Sequence, residues 1–103
     1  MSYTDQVCEI VVELPATPET TLVCTERLMA GEESYGPLDI TTDQRSYAKE
    51  ALEELYDAIN YCAMAVLRAR LHAASRDEQF FAARAADCAR IAWEIEFHRQ
   101  ATR

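Results

Sequence analysis

The chain is poor in residues that break or turn a backbone, with two glycines and three prolines among 103 residues. A Gly-rich phosphate loop and a nucleophile elbow are both missing, and no Cys-His pair has a useful spacing. No run of about 18 apolar residues occurs, so no segment reads as a membrane span. Met1 to Gln6 lacks the basic and apolar regions of a signal peptide, and the expectation is a soluble, unexported, cytoplasmic protein without a membrane partner. The four cysteines are widely spaced with no C-x-x-C pair. Buried free thiols in a reducing compartment explain Cys8, Cys24, Cys62 and Cys88 better than a zinc site or a disulfide framework.

Positive charge is also scarce: ten Lys and Arg stand against 18 Asp and Glu, for a net charge of −8. The imbalance is uneven along the chain. Residues 1 to 31 carry −4, residues 32 to 67 carry −6, and residues 68 to 103 carry +2. No basic stripe offers compensation to phosphates, so nucleic acid is not an expected partner. An acidic middle facing an Arg-rich tail instead suits a metal ion together with a phosphorylated small molecule.

What the sequence does contain is helical pattern. Half of the residues are hydrophobic, enough for one domain with a modest core that partner subunits could enlarge. Val7 to Leu14 alternates, Cys8, Ile10, Val12 and Leu14 falling on one side, and a short N-terminal strand is the first choice there. Thr17, Pro18 and Glu19 form a helix start, with Thr17 as cap and proline at the first position. That helix carries an apolar stripe of Leu22, Thr25, Leu28 and Met29, and Tyr35-Gly36-Pro37 ends it. Thr41, Thr42 or Asp43 can cap the next helix, Thr41 with Gln44 as a capping box, and nothing interrupts it from about Asp43 to His72. Ser75, answered by Glu78, opens a last helix from about Arg76 to Ala101. The fold class expected is therefore all-α: a three-helix protomer with long second and third helices, completed as a bundle by oligomerisation. Trp93 and Phe97 lie off the main apolar face of the last helix, and they are expected to meet another subunit or the N-terminal segment.

The second helix holds the chemistry. Leu52, Leu55, Ile59, Cys62 and Val66 gather on one side of it, while Glu50, Glu53, Glu54 and Asp57 share a sector of roughly 100° nearly opposite. Glu50 with Glu54, and Glu53 with Asp57, are like-charged pairs one turn apart, each unfavourable by about 0.2 to 0.5 kcal/mol in an isolated helix. Lys49 is the only basic residue within reach along the helix. Further along, the same side turns through Asn60 and Tyr61 to Met64 and Leu67, which is not how a solvated face continues. Uncompensated carboxylates beside such groups suit a hard divalent cation, Mg2+ being the natural candidate.

The run from Arg27 to Gly36, a short link, and then Glu50 to Tyr61 resembles the small MazG-like nucleotide pyrophosphohydrolases, especially compact versions encoded by phages and prophages. The resemblance covers about residues 20 to 70. Members of that all-α superfamily carry an E-x-x-E pair on one helix and an E-x-x-D pair on the next, bind Mg2+ and split nucleoside triphosphates into monophosphate and pyrophosphate. Glu54 and Asp57 match the second pair. The first helix has Glu26, Glu32 and Glu33 but no E-x-x-E, whereas Glu50 and Glu53 have that spacing within the second helix itself. The resemblance implies Glu50, Glu54 and Asp57 as metal ligands with Glu33 as a fourth, and Glu53 and Glu54 as the catalytic carboxylates. It implies Arg45 and Lys49 on phosphates, Tyr61 or Tyr35 against a base, and a homodimer or homotetramer. The departure in the first pair keeps a second class open: a non-enzymatic acidic helical protein that binds a host protein or sequesters a nucleotide.

Overall fold

The computed structural model describes Met1–Thr102. It is all-helical, with α1 at Tyr3–Val12, α2 at Pro18–Tyr35, α3 at Tyr47–Leu71 and α4 at Ser75–Ala101. Four helices replace the three expected, and the described residues include no strand. The chain divides into two compact units, Met1–Gln44 and Arg45–Arg103.

In the first unit, the segment expected as a strand is α1. Its start is fixed by a reciprocal capping box: the Ser2 hydroxyl accepts from the Asp5 N–H at 3.0 Å, and the Asp5 carboxylate accepts from the Ser2 N–H at 3.4 Å. Thr4, Val7, Cys8 and Val11 then recur at helical spacing and are the buried or half-buried positions of the helix. Ile10, Val12 and Leu14, which a strand would have placed together with Cys8, are exposed. Packing of α1 is against α2.

The α2 helix starts and stops as its residues dictate. Thr17 accepts from the Thr20 N–H at 3.2 Å, Pro18 takes the first turn, and Gly36 closes the helix at φ 86°, where a side chain would be strained. The inward positions are Thr21, Thr25, Leu28 and Glu32. Leu22 and Met29, expected on the apolar stripe, are exposed instead. Beyond Gly36, the Asp39 carboxylate accepts from the N–H of Thr41 at 3.1 Å and from its hydroxyl at 2.6 Å. This Asx turn occupies the residues expected to cap the next helix.

In the second unit, α3 begins four residues later than expected because Ser46 is its cap, accepting from the Lys49 N–H at 3.2 Å. The helix turns back through His72, Ala73 and Ala74 into α4, and the two pack along their lengths as a hairpin. Ala73 takes the left-handed conformation at φ 55°, and the Ala74 N–H donates to the Ala69 carbonyl at 2.8 Å, a Schellman-type close made with alanine where glycine is usual. Ser75 is already inside α4; its N-cap is Ala74, which supplies no side-chain cap. Glu78, expected to answer Ser75, instead pairs with Arg70 across the turn.

The hairpin core is thin. Leu52 is 2% exposed, Ala69 6% and Ala92 5%, and these are the only buried apolar residues among those described. Leu55, Ile59, Cys62 and Val66 line the same side of α3 as Leu52, half-buried, as their periodicity predicts. The cysteines are all free, but Cys24 is exposed and the other three are half-buried, so the expected buried thiols are only partly covered.

Candidate functional site: the carboxylate face of α3 and the groove beside it

The carboxylates of α3 are set by its register. With Leu52 turned into the hairpin, Glu50, Glu53, Glu54 and Asp57 fall nearly opposite, and all four are exposed. None makes an ion pair or a side-chain hydrogen bond among the described residues. Lys49 and Glu53 are four residues apart, a spacing that permits a salt bridge, yet they do not form one. Arg45, just before the helix, lies over the Tyr47 ring with 5.8 Å to its centroid. Because the acidic face turns away from α4, the arginines of its own hairpin partner do not neutralise it.

The donor set has the chemistry Mg2+ requires: hard carboxylate oxygens, three of them on one face at i, i+4 and i+7, without competing cations. In the arrangement described, however, no three Asp, Glu, His or Cys side chains converge on one ion position among the described residues. Glu33 belongs to α2 in the first unit and is exposed there; the other proposed ligands belong to the second.

Towards the C-terminal end of α3 the same side opens into a groove of about 550 Å³. Tyr61, Met64, Arg68 and His72 form its α3 wall, and Asp77 and Phe81 its α4 wall. Tyr61 thus stands one turn beyond Asp57, where the acidic face gives way to the groove. Tyr61 is 71% exposed. Arg68 and His72 carry no ion-pair partner among the described residues. Sequence reasoning passed over both. The available signal was their spacing from Tyr61, at i+7 and i+11, which keeps all three on one stripe.

Electrostatics are most clearly perturbed in the connection after α2. The Thr41 hydroxyl beside Asp39 holds that carboxyl below its ordinary value of 3.8, with the Thr41 N–H and Thr42 adding to the effect. Asp39 is a turn residue, and its hydrogen bonds account for its state.

No helix among the described residues is long and apolar enough to cross a membrane. Comparison with known proteins adds no relative: no family model matches the chain, and neither the curated proteins nor the solved structures give a match.

Proposed function

We propose that the chain is a Mg2+-dependent, nucleotide pyrophosphohydrolase-like protein acting on nucleoside or deoxynucleoside triphosphates as a homodimer or homotetramer. The observation that carries this reading is the exposed, uncompensated set of Glu50, Glu54 and Asp57, running on one side of α3 into the groove that Tyr61 opens. Like charges held together at a standing electrostatic penalty have an evident use when a cation joins them.

In this reading Glu50, Glu54 and Asp57, which share one side of α3, hold the ion. A bound Mg2+ supplies charge neutralisation at phosphate oxygens and lowers the pKa of a water. Glu53 and Glu54 are assigned the role of accepting a proton from an attacking water. Lys49 and Arg45, at the N-terminal end of α3, meet phosphate oxygens, and Tyr61 stacks on the base. The direct test is a panel of ribo- and deoxyribonucleoside triphosphates assayed for pyrophosphate release with Mg2+. Release that is abolished by Glu54→Gln and by Asp57→Asn supports the proposal; a panel with no release contradicts it.

One observation favours a second reading, an acidic helical protein that binds a host protein or sequesters a nucleotide without turnover: no three metal donors converge among the described residues. It requires the carboxylates to act on a partner directly. Partner binding weakened by neutralising them, with no metal requirement, distinguishes it from the first.

A further inference from the structure

The α4 helix has a second face that its hairpin does not use. Ala82, Ala86, Ala89, Trp93 and Phe97 follow one another at steps of four, three, four and four residues, a single stripe along the helix. All five are exposed, Trp93 at 65% and Phe97 at 60%. The two rings stack on each other, 5.3 Å between centroids and 22° between planes, which presents one broad apolar plate. Isolated exposed hydrophobics are ordinary, but a continuous stripe ending in two stacked aromatics marks a contact surface.

We infer that this stripe is a self-association surface, on which a second copy of the chain pairs its α4 antiparallel about a two-fold axis near Ala89. The pattern is self-complementary in that register. Phe97 of one copy falls opposite Ala82 of the other, and Trp93 opposite Ala86, so each aromatic plate seats on the flat alanine end of its partner. A parallel pairing would instead set aromatic against aromatic and leave alanine against alanine.

Charge permits the approach. Along one edge of the stripe, Arg90 pairs with Glu94 at 3.5 Å and with Asp87 at 3.8 Å. Along the other edge Glu96 pairs with Arg99 at 3.0 Å, so both edges carry both signs in a chain whose net charge is −8. The carboxylate face of α3 has no such compensation and would repel a copy of itself. The four aromatic rings of a dimer, each able to bury ~150 to 250 Å² and more than half exposed beforehand, supply on the order of 500 Å² of the ~1,200 Å² that a stable interface needs. The alanine ends and the aliphatic stem of Arg90 add to that area, placing the pair at the low end of the standard size. This surface deepens the oligomer part of the proposed function, and its failure would leave the nucleotide chemistry of that reading standing.

Sedimentation equilibrium of the full chain over a range of concentrations, with Trp93 emission read in parallel, tests the interface. Dimers that accumulate as concentration rises, with emission moving to the blue as they form, are expected. Trp93→Ala or Phe97→Ala should weaken association by roughly 30-fold or more, with helical circular dichroism unchanged because both side chains are exposed. Register is read by oxidative cross-linking, with wild type controlling for the native thiols. Ala89→Cys, next to the axis, cross-links to itself, whereas Ala82→Cys, set about 20 Å from its own copy by 1.5 Å per residue, does not. A monomer whose Trp93 emission is already blue at every concentration overturns the inference, because the stripe is then covered within the chain. A dimer indifferent to both aromatic substitutions, or one in which Ala82→Cys cross-links as readily as Ala89→Cys, overturns it as well.

Discussion

Single residues decide where these helices begin and end, and several do so against expectation. Ala73 occupies a left-handed turn position that an L side chain resists, at φ 55°. Ala73→Gly should therefore stabilise the α3–α4 hairpin by about 1 kcal/mol, measured as a higher midpoint in urea unfolding. Leu52, 2% exposed, is the largest of the buried side chains of the hairpin. Leu52→Ala should cost about 2 to 5 kcal/mol, a large fraction of the stability of a small unit, and should show as a loss of cooperative unfolding. Asp39 offers a pH-dependent check. Its carboxyl is held below 3.8 mainly by the Thr41 hydroxyl, so its contribution to stability is present above the unfolded value and fades as pH falls through the lowered one. Thr41→Ala should return the Asp39 titration, followed by carbonyl-carbon NMR, towards 3.8.

At the scale of elements, what could be read from the sequence depended on where the terminating signals lay. The α2 helix was legible nearly to the residue, since Thr17-Pro18 and Gly36-Pro37 bracket it; α4 was placed within one residue by Ser75 and Glu78, although the capping box they suggested does not form. The α1 helix was not, because eight alternating residues fit a strand template while the same β-branched residues also satisfy a helical stripe. The deciding information was the Ser2–Asp5 capping box upstream of the alternation. Likewise the start of α3 was misplaced because Thr41 and Asp39 satisfy each other in a turn, leaving Ser46 as the cap. For the site, the periodicity of α3 gave the shared face of Glu50, Glu54 and Asp57 correctly. The groove was not legible, since it also needs Asp77 and Phe81 from another helix. The like-charged pairs on α3 yield a further prediction: replacing Glu50 with Gln removes one i,i+4 repulsion and should raise the stability of the metal-free hairpin by about 0.2 to 0.5 kcal/mol. With saturating Mg2+ the order should reverse, because the intact carboxylate set then gains binding energy that the variant lacks.

Across the whole molecule, charge and apolar surface are sorted onto different faces of the second unit. Among the described residues, the acidic face of α3 lacks cationic compensation and the groove at the hairpin turn carries Arg68 and His72 without ion partners, while α4 displays an apolar stripe edged by Arg90, Asp87 and Glu94. The hairpin core is thin, with Leu52, Ala69 and Ala92 as its buried apolar members among the described residues. The account centres on the acidic face of α3. Its most direct test is an Mg2+ titration of the full chain followed by side-chain carboxyl NMR, with Glu54→Gln as the comparison. The expected result is saturable shifts concentrated at Glu50, Glu54 and Asp57, lost in the variant and strengthened when a nucleoside triphosphate is added. Shifts that never saturate, or that spread evenly over the 18 acidic residues of the chain, would contradict it.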